Sequence, residues 1–106
     1  MRSIYLNICE EREWSVYEDE FGWELSRHTP AGEDFSFYVA KKDGIVEGVR
    51  EYATYFDPDE HAEVLVRCRG MNGVPESIRE IIDDAEEIQN MLEELSEALQ
   101  EAEENG

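Results

Sequence analysis

The sequence predicts an α+β fold: an antiparallel sheet of about five strands, one covering helix and a long acidic C-terminal helix, in a single domain over residues 1–106. Three patterns support this prediction. Apolar and polar residues alternate through much of 3–40, as they do in half-buried strands. The period becomes helical from residue 45. Residues 76–104 then combine an apolar heptad seam with a surface rich in carboxylates. The chain thus divides into a sheet with a short helix, 1–75, and a long helix, 76–104.

Four of the predicted strands lie in the first 40 residues. Alternation places them at 3–9, 14–17, 23–27 and 35–40. Residues 18–22 are acidic and end in Gly, so the second and third strands are predicted to form a hairpin with an acidic tip. The large apolar residues of the last two strands fall on one face, which we expect to meet the core: Trp23, Leu25, Phe35, Phe37 and Val39.

The following segment changes period and then alternates again. An amphipathic helix that covers the sheet is predicted from five residues at helical spacing: Ile45, Val49, Tyr52, Ala53 and Phe56. Residues 63–69 are rich in Val and alternate, which predicts a fifth strand. Between the two segments, Asp57 followed by Pro58 also fits the start of a short helical turn.

The C-terminal helix carries an apolar seam at a/d spacing for more than three heptads: Ile78, Ile81, Ala85, Ile88, Leu92, Leu95, Leu99 and Ala102. Pro75 suits a first helical position and Ser77 suits a capping box, so both starts remain open. The part 78–88 has the wider apolar face, since Ile82 extends it, and is expected to dock on the sheet. The narrower part 92–102 is expected to project.

The composition is strongly acidic, with 28 Asp and Glu residues against nine Lys and Arg and a formal charge of −19. Residues 76–106 hold twelve of the acids and one base. This balance favours basic protein partners and disfavours nucleic acid and anionic membranes. Only two lysines are present, which would also suit adaptation to high internal salt. No apolar run approaches a membrane span, so a cytoplasmic location is expected.

No motif indicates catalysis, a metal or a cofactor. The acidic stretch around His61 is the best metal candidate, but an EF-hand loop starting at Asp57 would need Gly at its sixth position and Glu at its twelfth. Ala62 and Cys68 stand at those positions. The sequence also shows no Gly-x-Ser-x-Gly elbow, no Gly-rich phosphate loop and no His-Glu-x-x-His pair. We therefore expect a non-enzymatic protein with no metal and no cofactor.

The functional group that remains is the carboxylate. A rigid helix with closely spaced carboxylates can imitate the phosphates of duplex DNA and occupy the basic surface of a nucleic-acid-binding protein such as a nuclease. The residues expected to contact that partner lie on the long helix and at the hairpin tip: Asp83, Asp84, Glu86, Glu87, Glu93, Glu94, Glu97, Glu18, Asp19 and Glu20. The simpler alternative is that these charges only solvate their surfaces.

A second alternative assigns the function to the apolar seam. Heptads this regular can pair with a partner helix or with a second copy of the chain, which would make the protein a structural or regulatory binding module and a possible homodimer. The pairing residues would be Ile88, Leu92, Leu95 and Leu99. Like charges flanking the seam oppose a parallel pair, so an antiparallel pair or docking on the chain's own sheet is favoured.

Three stretches resemble small acidic proteins of phages and conjugative elements of Gram-positive bacteria: Gly32-Glu33-Asp34-Phe35-Ser36-Phe37, Phe56-Asp57-Pro58-Asp59-Glu60-His61 and Gly73-Val74-Pro75-Glu76-Ser77-Ile78-Arg79-Glu80. The resemblance implies a setting, inside a bacterial host, where anti-restriction and anti-CRISPR inhibitors are common. It assigns no functional residue. It favours a DNA mimic that acts on a host-defence nuclease, with a CRISPR effector as first choice and a restriction enzyme as second.

Overall fold

The computed structural model describes residues 3–69, 71 and 74–105. Within these ranges the chain forms an α+β fold with four α-helices and three strands, the last helix being the longest. In chain order the elements are α1 (Ile4–Glu11), β1 (Ser15–Glu18), β2 (Gly22–His28), β3 (Asp34–Ala40), a 3₁₀ turn (Lys41–Asp43), α2 (Ile45–Tyr55), α3 (Pro58–Val66) and α4 (Ile78–Asn105).

The three strands form an antiparallel sheet in the order β1-β2-β3. Val16 lies opposite Leu25, which lies opposite Phe37, so this cross-strand row joins all three strands on the face that meets the core. Leu25, Phe37 and Val39 are buried, as their alternation predicts. The other face is exposed at Tyr17 and Tyr38. The predicted hairpin and the strand that follows it are therefore confirmed.

The first predicted strand, 3–9, is wrong, because these residues form α1. Ser3 caps the helix, accepting a hydrogen bond from the backbone N–H of Tyr5 at 3.1 Å. Leu6 and Cys9 are buried three residues apart, which is a helical and not a strand spacing, whereas Ile4 is exposed. A short segment this rich in apolar residues fits both periods, and its packing partners decide between them.

The predicted fifth strand, 63–69, is also wrong. The alternative start at Asp57 is the one that forms: its side chain accepts hydrogen bonds from the N–H groups of Asp59 and Glu60, and Pro58 occupies the first turn of α3. The helix then runs to Val66 through the Val-rich segment. A capped N-terminus with Pro in the first turn thus prevails over the β-propensity of the valines.

The amphipathic helix predicted after the first four strands is confirmed as α2. Ile45, Val49 and Ala53 are buried in the main core. Gly48 faces β3, and a Cβ atom there would collide with the side chain of Val39. The absence of that atom lets α2 lie close to the strand.

The long helix is confirmed, and the part 78–88 docks as predicted, since Ile81, Ala85 and Ile88 are buried, with Ile81 and Ala85 packed against α3 and not against the sheet. The predicted projection of the part 92–102 is wrong. The C-terminal half of the helix enters the main core, where Leu92, Leu95 and Leu99 are 0% exposed, so 92–102 does not project. At its N-terminal end, Ile78 and Ile82 remain 46% and 41% exposed. Of the two predicted starts, Ser77 is the residue that caps the helix, with its hydroxyl 3.4 Å from the N–H of Glu80.

The docked position of α4 explains the proportions of the molecule. A helix of 28 residues is about 42 Å long, and the longest axis of the molecule measures 43 Å. α4 packs along α2 and α3, and Ile81 and Ala85 form a smaller second cluster with Ala62 of α3. One helix therefore spans both apolar clusters.

The docking of the C-terminal half of α4 leads to a stability prediction. Leu95→Ala removes a fully buried side chain from the main core and should lower the free energy of unfolding by about 2–5 kcal/mol. Ile82→Ala, on the exposed side of the same helix, should lower it by less than about 1 kcal/mol. Urea denaturation measures both variants. Equal losses, or a larger loss for Ile82→Ala, would contradict the docked position of the C-terminal half.

Candidate functional site

The surface of α4 opposite the core carries two groups of carboxylates, which exposed Asn90 separates. We call it the acidic face and define it by eight exposed residues: Asp83, Glu86, Glu87, Glu93, Glu94, Glu97, Glu101 and Glu104. They recur at spacings that keep them on one side of a helix, while the apolar residues at the seam positions enter the core. Within α4, all of which the structure describes, Arg79 is the single basic residue.

The acidic face has very little neutralising charge. Arg79 lies 3.7 Å from Asp83, and both side chains are largely exposed, so this pair contributes little. Among the described residues, no other carboxylate of the face forms an ion pair. Each pair of like charges three or four residues apart, such as Glu93 with Glu97, destabilises a helix by a few tenths of a kcal/mol. Core burial, and not surface pairing, must therefore hold this helix.

Asp84 is the one residue predicted for the long-helix interface that the structure removes from it. It is only 3% exposed, and its Oδ2 accepts a hydrogen bond from the Thr29 hydroxyl at 2.5 Å. Its Oδ1 accepts a hydrogen bond from the backbone N–H of Ala31 at 3.2 Å. Asp84 lies three residues after Ile81 and four before Ile88, so it shares their buried side. Its role is to anchor the β2–β3 loop to α4.

A second buried carboxyl extends this anchor to α3. The backbone N–H of Glu33 donates to the Thr29 hydroxyl at 2.9 Å, and Glu33 Oε1 lies 2.9 Å from His61 Nε2. The other oxygen, Glu33 Oε2, is buried and has no hydrogen-bond partner among the described residues. The His61 ring packs edge-on against Phe35. We call Thr29, Glu33, His61 and Asp84 the buried polar network.

The buried polar network shifts the protonation of Asp84. Burial raises the pKa of Asp84 above its ordinary value; the hydrogen bonds from Thr29 and Ala31 oppose this rise, and the neighbouring Glu33 carboxyl adds to it. Two carboxyl groups in one buried site favour a proton on one of them. Sequence reasoning missed this network, although the position of Asp84 on the seam side of the helix was a usable signal.

The acidic hairpin tip is a separate structure. Asp19 Oδ1 accepts hydrogen bonds from the N–H groups of Phe21 and Gly22 and from the Tyr38 hydroxyl, at 2.7 to 2.9 Å. The bond from Phe21 is the largest of the effects that lower the pKa of Asp19. Glu18 forms an ion pair with Lys41 at 2.8 Å.

All three predicted hairpin residues are exposed, and Glu20 most resembles the acidic face because the other two are engaged by neighbouring groups. The side chain of Asp19 instead holds the turn, and that of Glu18 is partly neutralised by Lys41. Among the described residues, no hydrogen bond or ion pair joins the hairpin tip to α4. The structure therefore separates the predicted site residues into an extended group on α4 and a weaker group at the hairpin.

Two concave surfaces adjoin these elements. An open groove of about 530 Å³ lies between β3, α2 and the start of α3, and aromatic rings form part of its wall. A smaller cleft of about 230 Å³ lies between α2 and α4, where Glu93 and Glu97 face Arg50. Arg50 itself pairs with Glu47 one turn earlier. The groove was not foreseen, because it depends on how β3, α2 and α3, which follow one another in the chain, pack together.

Comparisons with protein-family models, with curated proteins and with solved structures find no match. No helix in the described part of the chain is both long enough and apolar enough to cross a membrane. A functional proposal for this protein therefore rests on its own structure.

The buried polar network predicts a pH dependence of stability. A raised pKa means that folded Asp84 keeps its proton where the unfolded chain has lost it, so its contribution to stability falls as pH rises above the ordinary value of 3.8. The Asp84→Asn side chain does not ionise, so the stability of this variant does not fall for this reason. The free energy of unfolding of Asp84→Asn relative to the wild type should therefore increase from about pH 4 to pH 7.

Chemical denaturation at several pH values measures this difference, and Asp83→Asn, its exposed neighbour, controls for the removal of one surface charge. If the relative stability of Asp84→Asn is constant or decreases with rising pH, the assignment of a raised pKa to Asp84 is incorrect.

Proposed function

We propose that the protein is a non-enzymatic DNA mimic, which uses the acidic face to occupy the DNA-binding surface of a host-defence nuclease. A CRISPR effector is the first choice of target and a restriction enzyme the second. The observation that supports this most strongly is the acidic face itself: eight exposed carboxylates on one side of a helix, with one weak ion pair among them.

The dimensions of the acidic face resemble those of a DNA strand. From Asp83 to Glu104 the helix rises about 32 Å, so the mean spacing of its eight carboxylates along the axis is roughly 4 to 5 Å, with a widest gap of about 9 Å between Glu87 and Glu93. One strand of duplex DNA carries a phosphate about every 3.4 Å. Basic side chains arranged for a duplex can therefore meet a comparable density of negative charge.

The rigidity of the acidic face favours binding. The C-terminal half of α4 is held by fully buried side chains, and Asp84 ties its N-terminal half to the β2–β3 loop. A charged surface that is already ordered loses little conformational entropy when a partner binds. Flexible acidic tails lack this advantage.

Carboxylates on the acidic face would bind a target surface that is rich in arginine. Arginine forms bidentate hydrogen bonds with carboxylates as it does with phosphates. RNA-guided nucleases read a short duplex motif through arginines in a basic cleft, which is a surface of suitable charge and size. Exposed residues near the middle of the face, such as Glu93 and Glu97, would meet those arginines first. The hairpin tip could extend the contact through Glu20.

The alternative function, self-association or partner binding through the heptad seam, has less support. Ile88, Leu92, Leu95 and Leu99 are 0% exposed within a single chain. A second copy could reach them only if α4 left the core. The apolar side chains that α4 leaves accessible are Ile78 and Ile82, which are too few to form a helical pair.

A competition assay with matched charge reversals tests the proposal. Glu86→Lys, Glu93→Lys and Glu97→Lys together reverse three charges on the acidic face. This variant should no longer displace labelled duplex DNA from a basic CRISPR or restriction nuclease at low salt. The control variant combines Glu11→Lys, Glu24→Lys and Glu63→Lys, which are exposed elsewhere, and should displace DNA nearly as well as the wild type.

The same assay also reports the electrostatic character of the contact. Displacement by the wild type should weaken steeply as the salt concentration rises. If the wild type displaces DNA from no nuclease of either class, or if both triple variants behave alike, the proposed use of the acidic face is wrong.

A further inference from the structure

The open groove between β3, α2 and α3 is a second candidate interaction surface. Tyr38, Val39 and Ala40 are consecutive, and all three border it, although alternate residues of a strand point to opposite faces. The groove therefore reaches the edge of β3. That edge carries no partner strand among the described residues, since β3 pairs with β2 on its other side.

Aromatic rings in the wall of the groove are held in place by contacts beneath them. Tyr52 stacks on Phe37 with ring centroids 4.5 Å apart. The hydroxyl of Tyr38 donates to Asp19 at 2.9 Å. Tyr55 projects from α2 and is 82% exposed, so its ring is available to a ligand. Tyr52 and Tyr55 thus present aromatic surface to the groove from α2, and Tyr38 borders it at the edge of β3. Exposed aromatic surface in a groove is typical of a binding surface.

Carboxylates supply most of the charge of the groove. Asp43, Glu51, Asp57 and Glu60 line it together with the half-buried His61, and neither Lys nor Arg does. Among the described residues, no ion pair or side-chain hydrogen bond engages Asp43, Glu51 or Glu60, and Arg50 interacts electrostatically with Glu51 from outside the groove. Aromatic faces next to unpaired carboxylates attract a cation, because the ring quadrupole and the negative charge act in the same direction.

We propose that this groove binds an arginine side chain presented by a basic protein partner. The guanidinium group is planar, stacks on aromatic rings and pairs with carboxylates through a fork of N–H donors. The ammonium group of lysine is more strongly hydrated and has no planar face, so it uses the rings less well. A volume of about 530 Å³ accommodates the side chain together with neighbouring backbone of the partner.

The inference is independent of the DNA-mimic proposal, since none of the residues that line the groove belongs to the acidic face. The two surfaces also differ in character. Binding to the acidic face is electrostatic and weakens with salt, whereas stacking on rings persists at physiological ionic strength.

The test is a titration of the isotope-labelled protein with a blocked tri-arginine peptide at about 0.15 M salt, followed by NMR amide shifts. The expected result is a set of shifts centred on Gly48, Glu51 and Tyr55. Tri-citrulline, which has a similar shape and no charge, should cause none of them, and tri-lysine should bind more weakly than tri-arginine.

Variants of the protein show whether tri-arginine binds in the groove or on the acidic face. Tyr55→Ala combined with Glu51→Gln should weaken tri-arginine binding by about tenfold or more, and both positions are exposed, so the fold should tolerate the changes. Glu94→Gln removes the same amount of charge from the acidic face and should leave the affinity within about twofold. Shifts confined to α4, equal binding of tri-citrulline or tri-lysine, or an unchanged affinity of the double variant would each overturn the proposal.

Discussion

Burial of one side of α4 is the interaction on which the rest of the structure depends. Leu92, Leu95 and Leu99 close the main core over the sheet and α2, and Ile81 with Ala85 closes the smaller cluster against α3. Without this helix neither cluster would be covered. Because the buried stripe fixes the rotation of the helix, it also fixes which carboxylates face solvent, so the acidic face is a direct consequence of core packing.

Neighbouring acidic residues of the same helix have opposite roles for the same reason. Asp83 and Asp84 are adjacent, yet one is exposed and the other is hydrogen-bonded to Thr29 and Ala31 in the interior. A rotation of about 100° per residue separates the two environments. The buried carboxyl holds the loop and helices together, while the exposed ones leave their charge available. A count of acidic residues therefore overstates the exposed negative charge of α4, and helical phase shows which residues to leave out.

The sequence predicted the elements with a long or strongly alternating pattern, namely the hairpin, β3, α2 and α4. It misassigned α1 and α3, because short Ile- and Val-rich segments satisfy both periods and tertiary contacts decide between them. The cap at Asp57 was visible in the sequence, but its weight relative to the β-propensity of the valines was not. The acidic face was largely predictable from helical phase. The aromatic groove and the contact between Glu33 and His61 were not, since both depend on the packing of α3, a segment that the sequence assigned in part to a strand.

The central claim is that the acidic face keeps its charge at a cost to stability, which the buried side of α4 offsets. The free energy of unfolding at low and high salt tests it in one measurement, for the wild type and for a variant with Glu86→Gln, Glu93→Gln and Glu97→Gln. At low salt the variant should be more stable by about 1 kcal/mol, and added salt should remove the difference while stabilising the wild type. A variant no more stable than the wild type at low salt, or a difference that salt does not reduce, would contradict the account.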